Sequence, residues 1–221
     1  MIRLQDVHKR FWTRRSEEHW VLRGISLELS PERNVGVIGV NGAGKSTLLR
    51  IIGGLERPTK GEVSCTSRVS WPIGFGGGLQ RALTGRQNAR FICRIHGFGS
   101  QVEEKLRFVQ EFSELGPAFD EPVRTYSSGM RGRLNFSLSL AFDFDMYLVD
   151  ELMAVGDAGF REKSRRAIRS LAKRAGMVIV AHSESTIREF CESVVWLRDG
   201  KAHWYDSVNK GLREYKESLA A

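Results

Sequence analysis

The chain has 221 residues, 41% hydrophobic and 27% charged, which excludes disorder and collagen-like repeats and sets the size at one large domain or a core with an inserted lobe. Thirty-four lysines and arginines against 26 acids leave a net charge of +8; this suits a nucleic acid, an anionic membrane surface or an anionic substrate without choosing among them. No apolar run reaches the ~20 residues of a membrane-spanning helix, and Cys65, Cys93 and Cys191 lack metal-ligand spacing and read as reduced, partly buried thiols.

Residues 1–10 alternate polar and apolar side chains without a signal-peptide core, which points to the cytosol; Ile2, Leu4 and Val7 open a strand. Ile25, Leu27 and Leu29 alternate as in a half-buried strand, and Val35-Gly36-Val37-Ile38 is the continuous apolar run of a central parallel strand. A helix follows from Lys45 to Gly53-Gly54, then a turn at Pro58-Thr59-Lys60-Gly61. After Gly76-Gly77-Gly78 the pattern turns helical. Ser100-Gln101-Val102-Glu103 fits a capping box, and Val102, Leu106, Val109 and Phe112 follow at helical spacing. Strand and helix alternate again beyond 141: strands at 146–149 and 177–180, helices at 159–175 and 185–191. A hairpin pairs 194–197 with 201–205 around Asp199-Gly200, and a last helix starts at Ser207. The chain thus reads as an α/β core, 1–75 and 142–221, interrupted by a helical subdomain, 76–141.

Gly39-Val40-Asn41-Gly42-Ala43-Gly44-Lys45-Ser46 matches G-x-x-x-x-G-K-[ST] between a strand and a helix. Glycines let such a loop turn its N–H groups inward, and the helix N-terminus adds partial positive charge for phosphate. Lys45 is placed to reach the β- and γ-phosphates and Ser46 to ligate Mg²⁺. Met146-Tyr147-Leu148-Val149-Asp150-Glu151 is an apolar strand ending in two acids. Beside a phosphate loop, Asp150 can hold Mg²⁺ and Glu151 can deprotonate water. At this point kinases, GTPases and motor ATPases all remain open.

Further motifs narrow the choice. Tyr126-Ser127-Ser128-Gly129-Met130 resembles the L-S-G-G-Q signature of ATP-binding-cassette ATPases; His182 stands at the family's switch histidine, and Ala154-Val155-Gly156-Asp157 at its D-loop. With Trp71-Pro72-Ile73-Gly74-Phe75 and Leu83-Thr84-Gly85-Arg86-Gln87-Asn88, the whole chain is similar to the ATPase subunit of capsular polysaccharide exporters; O-antigen and teichoic acid exporters share parts of this. O-antigen relatives often add a carbohydrate-binding domain, and a chain ending soon after its last helix favours the capsule type. The resemblance implies one ABC nucleotide-binding domain. Its fold is a P-loop NTPase (RecA-like) core with an N-terminal antiparallel β region and an inserted α-helical subdomain.

It also implies a head-to-tail homodimer with two ATPs between the copies. Asn41, Gly42, Ala43, Gly44, Lys45, Ser46 and Thr47 hold the nucleotide of one copy. Ser127, Ser128, Gly129 and Met130 of the other face its γ-phosphate, His182 senses that phosphate, and Asp157 bridges the subunits. Phe11 stacks on adenine, with Trp12 and Trp20 as rivals, and Gln80 stands in the region of the Q-loop ligand for Mg²⁺ or water. The implied partner is a polytopic membrane permease at the cytoplasmic face of the inner membrane. The polysaccharide is then handled indirectly, and no nucleic acid is expected. A cassette ATPase acting on DNA or ribosomes and a P-loop kinase are the other classes in play.

Ser128 and Met130 replace the usual Gly and Gln of the signature, while Ala154 and Gly156 replace the usual Ser and Leu of the D-loop. Residues 71–85 read as a joint between core and lobe, with Gly77 and Gly78 as its flexible part and Phe75 and Leu79 as contacts for the permease. The helix from Gly159 carries Arg161, Lys163, Arg165, Arg166, Arg169, Lys173 and Arg174 against Glu162. That run reads as a solvated face, with anionic lipid or glycan as the other reading.

Overall fold

The computed structural model describes residues 1–12, 18–73, 78–97, 99–150, 156–181 and 183–220. In chain order the elements are β1 (Ile2–Trp12), β2 (Glu18–Leu29), β3 (Asn34–Ile38), α1 (Lys45–Ile52), β4 (Lys60–Cys65), α2 (Gly85–Ile95), α3 (Val102–Ser113), α4 (Ser128–Leu140), β5 (Met146–Asp150), α5 (Ala158–Leu171), β6 (Gly176–Val180), α6 (Glu184–Phe190), β7 (Ser193–Arg198), β8 (Lys201–Tyr205) and α7 (Val208–Ala220). They form two units, Met1–Pro72 with Phe144–Leu152 and Arg169–Ala221, and Ile73–Asp143 with Met153–Ile168. Among the described residues no helix is long and apolar enough to cross a membrane.

In the first unit β1 lies between β2 and β4 in an antiparallel sheet. The register sets Ile2 opposite Leu29 and Leu4 opposite Leu27, all four buried on one face. A bulge follows Leu4. Asp6 takes a positive φ of 47°, which shifts the alternation by one and buries Val7.

The second sheet has the order β5-β6-β3-β7-β8, parallel except for β8. β3 and β6 are buried along their whole length, as expected of strands covered on both faces. β7 and β8 join through Asp199-Gly200, both at positive φ (50° and 77°), the backbone of a tight two-residue hairpin. Leu48, Leu49, Ile51 and Ile52 of α1 join both sheets in one core with Leu148, Val178 and Val195. Each fully buried aliphatic side chain of this kind contributes roughly 1.5–3 kcal/mol. β3 stands at the centre, between β6 and β7, so its C-terminal end opens where a doubly wound sheet places ligands.

The second unit packs α2, α3, α4 and the first turns of α5. Phe112, Phe136 and Phe160 form its aromatic centre, with ring centroids 6.0–6.1 Å apart. The capping box lies at Thr84, whose hydroxyl accepts from Gln87 N at 3.1 Å while Gln87 Oε1 accepts from Thr84 N at 2.9 Å. It is not at Ser100. There a 3₁₀ turn, Gly99–Gln101, runs straight into α3, so no extended residue precedes the helix to present a capping side chain. Asn88, fully buried, accepts from Gln80 N and donates to the carbonyls of Gln80, Leu83 and Thr84, pinning the segment ahead of α2.

Two further expectations shift. The helix expected over 159–175 ends at Leu171, where Arg174 N and Ala175 N both turn back to Leu171 O. Cys93 and Cys191 are buried, but Cys65 is exposed at the end of β4, because that strand buries no side chain fully.

Candidate functional site

The loop after β3 is shaped by its glycines. Gly44 takes φ +97°, and a Cβ there would lie 2.8 Å from Val21 Cγ1; Gly42 takes φ +82°. A Cβ on Gly39 would lie 2.6 Å from Leu197 O, so the start of the loop lies close against the end of β7. α1 starts at Lys45, and no side chain caps it. The N–H groups of its first turn are therefore open to an anion. Lys45 Nζ donates to Gly39 O at 2.8 Å and Val40 O at 2.9 Å, arching over the loop. Asn41 is exposed, and Ala43 and Thr47 are half-buried.

Ser46 Oγ lies 3.4 Å from Asp150 Oδ1 at the end of β5. Two neighbouring oxygens of an octahedral Mg²⁺ stand about 2.9 Å apart, given ligand distances of 2.0–2.1 Å. The pair therefore fits that ion with a small contraction. Among the described residues no group of three or more His, Cys, Asp or Glu could hold a metal.

An open hollow of ≈ 610 Å³ borders the loop, lined by residues 40–43, by His19, Trp20 and Val21 of β2, and by the Asp199-Gly200 turn. Of the three aromatics expected against adenine, Trp20 lines this hollow. Phe11 is 39% exposed beneath Lys9 Nζ, 4.9 Å from its ring, and Trp12 is 64% exposed. Glu151, His182, Ala154, Val155, Phe75 and Gly77 lie outside the described residues.

In the second unit Ser127 caps α4, its Oγ accepting from Met130 N at 3.2 Å. A Cβ on Gly129 would meet nothing nearer than Ser127 Oγ at 3.8 Å. Neither packing nor a positive φ calls for glycine there; its effect is to leave the first turn of α4 bare to a close approach. Ser127 and Ser128 are exposed, and Gly129 and Met130 half-buried.

Asp157 sits beside them. Its Oδ1 accepts from Phe160 N at 3.0 Å, and its carboxylate pairs with Arg133 Nη2. The Phe160 amide, with the Arg133 charge, holds this carboxyl below the usual carboxylate range. Residues 127–130, Arg133, Gly156 and Asp157 line one open hollow of ≈ 480 Å³. Gln80 belongs to this unit, its side chain exposed and its backbone held by Asn88, whereas Ser46 and Asp150 belong to the first. Gly78 is exposed with open space at its Cβ, and Leu79 is half-buried.

Arg133 is the residue that sequence reasoning missed. One signal pointed to it: it stands four residues after Gly129 and three after Met130, hence on the same face of α4.

The chain matches the family model described as ABC transporter over residues 22–154. It is 42% identical over 220 residues to the polysialic acid transport ATP-binding protein KpsT of Escherichia coli, covering 99% of this chain and 100% of that protein. It is also 42% identical over 221 residues to the capsule polysaccharide export ATP-binding protein CtrD of Neisseria meningitidis serogroup B, with coverage of 99% and 100%. Among solved structures, a dimeric ATP-binding cassette in a post-hydrolysis state with ADP and Pi is similar, with a TM-score of 0.77 at 22% identity over 92% of this chain and 97% of that one. That likeness speaks to the fold alone, and it agrees with the expected P-loop NTPase core carrying an antiparallel region and a helical insertion.

Proposed function

The chain belongs to the ABC transporter family, and on that premise we propose that it is the ATP-hydrolysing subunit of a capsular polysaccharide exporter. In this reading it works as a head-to-tail homodimer at the cytoplasmic face of the bacterial inner membrane, beneath a separate polytopic permease. Identity of 42% along the full length of two proteins named for polysialic acid transport and capsule polysaccharide export supports the transport part. The meeting of Ser46 and Asp150 beneath the Lys45 loop carries the ATPase part.

The phosphates of ATP rest on the amides of residues 41–47, and Lys45 swings from the Gly39 and Val40 carbonyls to the β- and γ-phosphates. Ser46 and Asp150 would hold Mg²⁺, which would supply neutralisation of the phosphate charge. Glu151, next to Asp150, takes a proton from water as that water's oxygen attacks the γ-phosphorus. The bond from the γ-phosphorus to the bridging oxygen breaks, and ADP and phosphate are the products. His182 contacts the γ-phosphate and senses its departure. Ser127 and Gly129 of the second copy offer a hydroxyl and the N-terminal amides of α4 to the same phosphate. For Gln80 the resemblance implies a role as the Q-loop ligand for Mg²⁺ or water. The adenine stacks on an aromatic of β1 or β2, with Phe11 favoured by resemblance and Trp20 by its place in the hollow. The glycan is moved by the permease, on which dimer closure does mechanical work.

The test is purification of the Glu151→Gln variant with ATP from its native membranes, followed by mass spectrometry of what comes with it. A polytopic membrane protein together with an acidic, lipid-linked glycan is the expected result. A soluble complex with nucleic acid or ribosomal proteins overturns the transport reading.

A further inference from the structure

We propose that Arg133 is a positioning residue that ties the Asp157 loop to the first turn of α4, so that the two surfaces offered to the other copy move as one piece. The proposal rests on the dimeric ATPase reading above.

The Arg133 guanidinium makes three contacts at once. Nη2 pairs with the Asp157 carboxylate, Nη1 lies 3.6 Å from Glu114 Oε2, and the group stands 4.8 Å over the ring of Phe160. The side chain is 18% exposed, so its charge is largely withdrawn from water and depends on these partners. Each partner is held from its other side. Glu114 Oε1 accepts from Lys163 Nζ at 2.7 Å, and the same ammonium donates to Phe112 O at 2.9 Å. Asp157 accepts from Phe160 N, at the start of α5, with its remaining oxygen. Two cations, Arg133 and Lys163, thus balance two carboxylates, Glu114 and Asp157.

Arg133 adds a charged tie between α4 and α5 one turn after Gly129, beside the Phe136–Phe160 ring contact. Arg133 itself lines the hollow between residues 127–130 and Gly156-Asp157. Cutting the contact therefore removes the charged tie between loop and helix and changes no residue of the phosphate loop around Lys45. A planar guanidinium can engage a carboxylate, a second carboxylate and an aromatic face together; a lysine ammonium keeps the charge but not that fork.

The test uses the full chain and the variants Arg133→Gln, Arg133→Lys, Asp157→Asn and the double variant Arg133→Gln/Asp157→Asn. Asparagine caps a helix about as well as aspartate, so Asp157→Asn keeps the bond to Phe160 N and removes only the charge offered to Arg133. Three readouts are taken: affinity for a fluorescent ATP analogue, kcat and KM for ATP hydrolysis, and the Hill coefficient of its ATP dependence. Binding is expected to stay within about twofold of wild type while kcat falls at least tenfold and the ATP dependence loses its sigmoidal shape. Arg133→Lys recovers part of kcat. The double variant is no worse than the worse single one, because both act through one contact. Arg133→Gln with wild-type kcat and cooperativity overturns the proposal, as does a double variant whose loss is the product of the two single losses. Should Arg133→Gln fail to fold, wild-type kcat in Asp157→Asn overturns it alone. A wild-type protein that hydrolyses no ATP defeats the ATPase reading itself, and this proposal with it.

Discussion

Ser46 Oγ and Asp150 Oδ1 stand 3.4 Å apart across 104 residues of sequence. Their strands are not neighbours, since β6 lies between β3 and β5. The contact forms because the helix after β3 starts beside the carboxyl end of β5. For Asp150→Asn, which keeps an oxygen but loses its charge, nucleotide affinity without Mg²⁺ is expected within about threefold of wild type. The tightening caused by Mg²⁺ is lost, and turnover falls at least about a hundredfold, the scale seen when one preorganised charge-stabilising group is removed. Titration of nucleotide with and without Mg²⁺ checks this; an unchanged Mg²⁺ response rejects Asp150 as a ligand.

Asn88 makes four hydrogen bonds to backbone groups of residues 80–84 and is wholly buried. Asn88→Ala leaves Gln80 N and several carbonyls without that partner, at a cost of about 2–4 kcal/mol. For a chain of this length that lowers Tm by about 5–15 °C. Asn88→Asp is no rescue, because a carboxylate can accept from Gln80 N but faces three carbonyl oxygens with no proton to give. A wild-type melting curve for Asn88→Ala would show that the segment is held by other means.

What could be read in the chain beforehand follows the range of the interactions. The phosphate loop, the apolar strands and the Asp199-Gly200 hairpin depend on neighbours a few residues away, and each lies where its pattern points. The bulge at Asp6 has no signature in apolar spacing, because a single positive φ resets the alternation. Ser100 looked like a cap from its neighbours alone, yet the 3₁₀ turn around it removed the geometry a cap needs. The basic run of α5 showed only Glu162 as an acid within reach. Folding brings Glu114 to Lys163 and Glu189 to Arg169, from 49 and 20 residues away. Arg133 was hidden for the same reason, its partner Asp157 lying 24 residues further on.

The three thiols differ in a way that chemistry can read. Cys65 is exposed, with its thiol donating to Ser67 O at 3.0 Å, whereas Cys93 and Cys191 are buried. Burial pushes the Cys93 thiol up, and the Cys191 thiol up to about 12; at pH 8 the latter is about one part in ten thousand thiolate. Since the thiolate is the reactive form, the native protein is expected to release one fast equivalent from Ellman's reagent at pH 8, and three in denaturant. Cys65→Ser removes the fast equivalent. A second fast thiol in the native protein contradicts the burial of Cys93 and Cys191.

Asp157 yields a prediction in pH. The Phe160 amide and the Arg133 charge hold its carboxyl below the usual range in the folded protein, so the folded state binds this proton less readily than the unfolded chain. Its contribution to stability is therefore complete above an ordinary carboxylate pKa of about 4 and is lost as pH falls through the lowered folded value. Other titrating groups cancel when wild type is compared with Asp157→Asn, so the difference in melting temperature isolates this carboxyl. That difference is expected to be flat from pH 5 to 8 and to shrink only below about pH 4. A difference that grows on acidification has the opposite sign and removes Asp157 as a charge held by Arg133.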